Sequence, residues 1–477
     1  MRSKITSLLV AVASTLTLNA CTVGPDYRRP EIQTAAQWPT DRPGSPAQQA
    51  GDRWWKLYGD ATLNTLIDEA LSNNLDLRLA IERVNEAQAQ TRFTKTDNAP
   101  NINARAGVNR SQFSEIGAQP MPPGTPREQN SYDVRVQASY ELDFFGKYRR
   151  ANEAARAELL ASEAAQHTVR LSLTKQVAQQ YFALLAAEDQ MKVLERTLAA
   201  RQETLELDSQ RFGAGVTSEF NLLQSQAEVL AAQAQLAQAV QTREQQEATL
   251  LLLLGRPPRE LLQANVSRGT PTKSDIVWIP DGLPSDLLLR RPDIQEAEQK
   301  LVAANARIGN VRSTIFPSIA LTGYLGSESV QMTDLFSGPA GIYQIAATLT
   351  QPLWQGGRRR EALHVAESRH EQALLTYQKT VADAFIDVRR ALSSQHGARL
   401  VWQAESQRVD TLTQAYEQVL SRLKGGVSSR LEALDTERQL LQAQLSQIDA
   451  ERAQRAAVAD LFTALGGGWD SAATTNP

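Results

Sequence analysis

The 477-residue sequence has little of what many enzymes and nucleic-acid binders depend on. It holds one cysteine, four histidines and 6% aromatic residues. The lone thiol, Cys21, excludes an internal disulfide framework and a cysteine-based zinc site. His364 and His370 lie six apart on a helical pattern and do not share a face, and His167 and His396 are isolated, so no metal site is expected. The formal net charge of −3 leaves no electrostatic footprint for nucleic acid. No phosphate loop, nucleophile constellation or cleft pair of catalytic carboxylates stands out, so an enzyme is not expected. Nowhere do eighteen apolar residues run together. Leu250 to Leu254 is the greasiest run and is far too short for a membrane helix. A chain like this can cross a membrane only as a closed β-barrel.

Proline is absent from two long blocks. None lies between Pro126 and Pro257, and none between Pro352 and Pro477. Interior proline removes a helix hydrogen bond and clashes with the preceding turn, so such gaps invite very long helices.

The amino end carries an address. Arg2 and Lys4 precede an apolar run from Ile5 to Leu18, the pattern of an export signal over residues 1–20. Leu18-Asn19-Ala20-Cys21 resembles the bacterial lipoprotein box, which implies cleavage before Cys21 and a covalent lipid on it. No other cofactor is expected. Thr22 stands where an Asp commonly retains lipoproteins at the inner membrane, so by resemblance the outer membrane is favoured.

The rest of the chain is a duplication. At an offset of 211, Tyr132 matches Tyr343, Gly146 matches Gly357, Arg211 matches Arg422, Gly215-Val216 matches Gly426-Val427, and Leu254-Gly255 matches Leu465-Gly466. Upstream the offset is 217 and pairs Pro100 with Pro317, placing a length change in the polar, proline-bearing stretch 112–130. Each repeat reads as helix, strand, loop, strand, long helix, turn, helix. Strands are expected at about 102–111, 131–142, 318–327 and 342–353. In the second of them Tyr132, Val134, Val136, Ala138, Tyr140 and Leu142 alternate with Asp133, Arg135, Gln137, Ser139 and Glu141. An apolar row for lipid and a polar row for a lumen fit a membrane barrel. A soluble hairpin with one wet face would show the same alternation. Four strands cannot close a barrel alone, so other chains must complete it: two would give eight strands, three would give twelve.

Long helices are expected at about 147–211 and 357–422, with return helices at about 218–253 and 429–462. Helices before the first strands are expected near 75–98 and 286–315. Leu184, Met191, Leu198, Leu205 and Phe212 recur every seven residues, as do Trp402, Val409, Tyr416 and Leu423, which argues coiled-coil packing. Gly213, Gly215, Gly425 and Gly426 suit tight turns between the helices. Pro100 and Pro317 mark the joints from helix to strand.

The strings Cys21-Thr-Val-Gly-Pro-Asp-Tyr27, Trp54-Trp-Lys-Leu-Tyr-Gly-Asp60, Leu287-Leu-Leu-Arg-Arg-Pro-Asp-Ile294 and Leu465-Gly-Gly-Gly-Trp469 make the chain resemble the TolC/OprM-like outer-membrane factors of efflux systems, in the lipoprotein branch. The resemblance implies a mainly α chain with a membrane β-barrel. A homotrimer would supply a twelve-stranded barrel and an α-helical barrel. It also implies a periplasmic adaptor and an inner-membrane pump of the resistance-nodulation-division type as partners, with outer-membrane lipid around the strands and no nucleic acid. The domain plan it supports is an anchor and equatorial segment 21–61, repeat 1 over 62–255, an equatorial insert 256–284, repeat 2 over 285–466 and a tail 467–477. By the same resemblance a periplasmic gate falls on Glu432 and Asp435, one turn apart on a helix, so three copies would gather six carboxylates near one axis. Ser429-Arg-Leu-Glu432 is equally a capping box, so Glu432 has a second, local explanation. The tyrosine and arginine ties that close the tip in some members have no match, since Leu423 and Ser428 stand there. Two other functions remain open, an exit duct for protein secretion and a lipid-anchored coiled-coil scaffold.

Overall fold

The structure is a computed structural model that describes residues 22–31, 53–114, 116, 124, 126–261, 266–269 and 290–467. Cys21 and the signal segment lie outside the described residues, as do 32–52, most of the insert and the tail from residue 468. After a 3-10 turn at Trp54–Tyr58 come α1 (Ala61–Asn73), α2 (Leu75–Thr96), β1 (Asn101–Gln112), β2 (Glu128–Leu142), α3 (Lys147–Gly213) and α4 (Glu219–Leu253). The second repeat supplies α5 (Pro292–Ser313), β3 (Ser318–Ser329), β4 (Gly341–Thr350), α6 (Arg358–Lys424) and α7 (Arg430–Ala464).

The duplication is visible in the boundaries. Helices α3 and α6 are both 67 residues, about 100 Å at 1.5 Å per residue, and start and stop at matched positions. Helices α4 and α7 are both 35 residues. Freedom from proline and abundant Ala, Gln, Glu, Arg and Leu allow this length.

Three boundaries differ from expectation for local reasons. The helix expected near 75–98 is preceded by a separate one, α1, because Asn74 interrupts with extended geometry and caps α2 through its Oδ1, which accepts from the Leu77 N–H at 3.0 Å. Helix α5 begins only at Pro292, since proline at a first helical position loses no intrahelical bond. The last strand stops at Thr350, because Pro352 has no N–H for a ladder, and Leu353 and Trp354 are left exposed.

The chain divides into two compact units. One gathers the described residues of Met1–Glu31, Val84–Ser162 and Ala297–Tyr377 and contains the sheet. Its four strands run antiparallel in the order β1-β2-β3-β4, so the two repeats meet where β2 pairs with β3. The segment 22–31 is strapped to this unit. Arg150 donates to the carbonyl oxygens of Val23 and Gly24 and to Asp26, and Asn305 donates to the Pro25 carbonyl at 2.9 Å. Gly24 has φ +108° and presses on Gly309, where a Cβ would meet the Gly309 Cα at 2.5 Å. Tyr27 and Arg29 both donate to Glu298.

The other unit gathers the described residues of Ile32–Arg83, Glu163–Glu296 and Gln378–Pro477. Trp54 and Trp55 are buried here, with Trp54 stacked on Phe462 at 5.3 Å between ring centroids. The buried Asp60 caps α1, accepting from the N–H groups of Thr62 and Leu63, and accepts from the Tyr181 hydroxyl at 2.8 Å. A described piece of the insert, 266–269, is pinned by Arg268, which pairs with Glu188 at 2.7 Å and Glu247 at 2.8 Å.

Candidate functional site

The sheet has two chemically distinct faces. Across the ladder, Ile102, Ala138, Gly323 and Ile345 stand opposite one another, as do Ala104, Val136, Leu325 and Tyr343. Tyr140, Leu321 and Ala347 form a further row. Ile345 and Tyr343 are more than four-fifths exposed in the single chain, and Ile102 and Leu325 about two-thirds. An apolar face this continuous, on a sheet that no other described residues cover, requires a nonaqueous partner. The opposite face brings together Asn103, Gln137, Tyr324 and Gln344. Strands β1 and β4 each keep one edge unpaired within the chain. Among the described residues no helix is long and apolar enough to cross a membrane.

The interhelical turns are a matched pair. Gly215 and Gly426, with φ of +73° and +74°, each end a long helix in the left-handed conformation. The next N–H, of Val216 or Val427, reaches back to the carbonyl of Arg211 or Arg422 at 3.0 Å. This six-residue closure is a Schellman motif, and it needs glycine at the left-handed position alone. Gly213 and Gly425 take ordinary φ, so the four turn glycines expected from sequence are not equivalent.

Beside these turns lies a charged cluster that periodicity did not reveal. Toward the end of α3, Leu194, Arg201 and Asp208, seven residues apart, are all buried, with Arg201 at 6% and Asp208 at 2% exposure. The apolar heptad row instead becomes more exposed along the helix, from Leu184 in the core to Phe212 at 42%. The seam therefore changes from apolar to ionic within two heptads, after the apolar contact of Val193 and Leu194 with Ala239 and Leu441. Arg430, the first residue of α7, pairs with Asp208, and the Ser225 hydroxyl of α4 also donates to that carboxylate. Burial alone would raise the Asp208 pKa, but the guanidinium and the hydroxyl outweigh it and hold the carboxyl below its ordinary value. One heptad away, Arg201 donates to the Glu228 carbonyl at 3.2 Å and pairs with Glu228 at 3.1 Å and Glu437 at 3.5 Å, and Arg438 also pairs with Glu228. Three helices from both repeats are thus tied together.

Glu432 and Asp435 sit in the first turns of α7, and both are exposed. Ser429 accepts from the Glu432 N–H at 3.1 Å, so the cap forms. The Glu432 carboxylate takes the Ser428 hydroxyl and lies 3.9 Å from Arg422, while Asp435 takes the Gln439 amide at 2.6 Å. Pro100 and Pro317 each stand immediately before a strand, β1 and β3. Nothing in sequence periodicity pairs Asp208 with Arg430. Their repeat counterparts are Val419 and Glu219, so the duplication hides the pair rather than marking it.

The fold and these paired features define an outer-membrane channel subunit, and the comparisons agree. The pattern of the family described as Outer membrane efflux protein matches residues 66–256 and 283–467. The chain belongs to that family. It is 34% identical to outer membrane protein OprJ of Pseudomonas aeruginosa over 475 residues, covering 98% of this chain and 96% of that one. It is 33% identical to the cation efflux system protein CusC of Escherichia coli O6:H1, covering 95% and 97%. The crystal structure of the Campylobacter jejuni CmeC outer membrane channel superposes with a TM-score of 0.90 at 26% identity, covering 94% of this chain and 96% of that one. The chain is an outer-membrane efflux channel component and not an enzyme. Three chains of four strands close a barrel of twelve, which uses both free edges and gives the apolar face its lipid.

Proposed function

We propose that this subunit forms a passive exit duct for small toxic compounds, drugs among them, delivered by an inner-membrane pump of the resistance-nodulation-division type through a periplasmic adaptor. The pump supplies the energy, and this chain supplies a wall and a gate. Cys21 carries the lipid that anchors the mature amino end at the outer membrane.

The gate falls on Glu432 and Asp435. The observation that carries this is the exposure of both carboxylates on the first turns of α7, beside helices otherwise tied by buried ion pairs. Three copies of each would concentrate negative charge around an axis and attract cations. The pairs of Arg430 with Asp208 and of Arg201 with Glu228 set the spacing of the helices that carry the gate.

Single-channel recording of purified trimer in planar bilayers tests both claims, with wild type beside Asp435→Ala and Glu432→Gln. Small wild-type currents that rise in Asp435→Ala are expected. A trimer that conducts equally in all three forms removes the gate assignment. One that never conducts favours a scaffold over a duct.

A further inference from the structure

The polar face of the sheet carries like charges directly opposite one another on two successive layers. Arg105 of β1 stands opposite Arg135 of β2, and Asp133 of β2 stands opposite Glu328 of β3. Like charges facing each other across strands oppose folding, so a sheet that keeps two such pairs departs from the stabilising pattern.

Strand β2 neutralises itself. Arg135 donates through Nε to Asp133 at 2.9 Å, and its guanidinium lies over the Tyr324 ring, 5.4 Å from the centroid. Two glycines make room for that pair to lie flat. A Cβ on Gly107 would fall 2.5 Å from Asp133 Oδ1, and one on Gly326 would fall 2.6 Å from Arg135 Cα. Asp133 is accordingly 9% exposed on a face that is otherwise open.

That leaves Arg105 and Glu328 outside any ion pair among the described residues, with Glu328 still within electrostatic reach of Arg135. Both are exposed, and they lie on adjacent layers two strands apart, one on either side of β2. The neighbouring row of Asn103, Gln137, Tyr324 and Gln344 holds no charge. In a twelve-stranded barrel with the apolar face in lipid, three copies of each residue stand around the lumen.

We propose that Arg105 and Glu328 form two stacked rings of opposite charge across the barrel lumen and act as a charge filter, in which the arginine ring opposes cations and the glutamate ring opposes anions. The inference rests on the duct described above and adds a selectivity element to it. A passage lined in this way favours neutral and dipolar solutes over simple ions. The self-paired Asp133 and Arg135 lie in the same two layers, on the strand between Arg105 and Glu328, without adding net charge.

The test is the reversal potential of purified trimer in planar bilayers under a tenfold KCl gradient. Arg105→Gln is expected to raise the potassium-to-chloride permeability ratio at least twofold, and Glu328→Gln to lower it by a similar factor. Arg105→Lys and Glu328→Asp, which keep charge, should match wild type and separate a charge effect from altered packing. In a further arm, Arg105→Cys treated with a cationic methanethiosulfonate should regain the wild-type ratio, whereas an anionic one should drive it further toward potassium. Conducting trimers whose reversal potential is the same in all forms overturn the filter and leave the duct intact. Shifts of equal size in the charge-keeping variants overturn it as well. Absence of current in every form overturns the duct, and the filter with it.

Discussion

Arg291 donates through Nη1 to the carbonyl of Ala464 at 2.8 Å, and at the matched place in the first repeat Asn74 donates to the carbonyl of Leu253 at 2.9 Å. The offsets of 217 and 211 that relate the repeats carry Asn74 onto Arg291 and Leu253 onto Ala464. Each return helix is therefore closed at its carboxyl end by the residue that precedes an upstream helix. The glycines just beyond, Gly255 and Gly466, both have positive φ and pack against the same neighbours, Asn73–Asn74 and Arg291.

The two caps differ in strength. Arg291 is buried and also pairs with Asp293 at 2.7 Å and Asp387 at 3.3 Å. Arg291→Ala should cost about 2–3 kcal/mol, since it strips a charged donor from a buried carbonyl and leaves two carboxylates less well paired. Asn74→Ala should cost about 1 kcal/mol, as loss of an ordinary cap does. Thermal melts of the detergent-solubilised trimer should rank the variants in that order, and equal midpoints would contradict the role given to Arg291.

Asp208 and Arg430 make a pH-dependent tie. The folded carboxyl titrates below its unfolded value, so the pair contributes stability above the ordinary carboxylate range, near pH 4, and loses it as pH falls through the folded value. Arg430→Ala should cost about 2 kcal/mol at pH 7, less than a fully buried pair because part of Arg430 stays in water. Hydrogen exchange in residues 200–230 should accelerate in Arg430→Ala at neutral pH and in wild type only in acid. A variant that exchanges like wild type at pH 7 would show that the pair holds nothing.

The turn glycines should separate cleanly. Gly215→Ala and Gly426→Ala force a side chain into the left-handed region and should each cost about 1 kcal/mol. Gly213→Ala and Gly425→Ala, at ordinary φ, should be neutral or stabilising by a few tenths of a kcal/mol, through a less flexible unfolded chain. Limited proteolysis at the two turns would report the difference, with only the first pair cut faster.

The elements that sequence displays well are those set by period and by proline. Alternation along Tyr132–Leu142, the glycines at 215 and 426 and the unbroken stretches that become α3 and α6 all follow from one-dimensional rules. What it hides is chemistry held by pairs distant in the chain. Arg201 and Asp208 occupy buried heptad positions, yet hydrophobic periodicity passes over charged residues and follows Leu198 and Leu205 instead. The partners of Arg201 and Asp208 lie on other helices, where no spacing rule reaches them. Asn74 was hidden differently, as one polar residue in a Ser-Asn-Asn run whose only signal is its preference for a cap.

The unpaired edges of β1 and β4 carry a consequence for biogenesis. A lone subunit presents two rows of unsatisfied backbone donors and acceptors beside a bare apolar sheet, a combination that neither periplasmic water nor bilayer tolerates. Insertion should therefore be coupled to the pairing of those edges with other subunits. Because assembly consumes several subunits, underexpression should deplete assembled channels faster than it depletes protein.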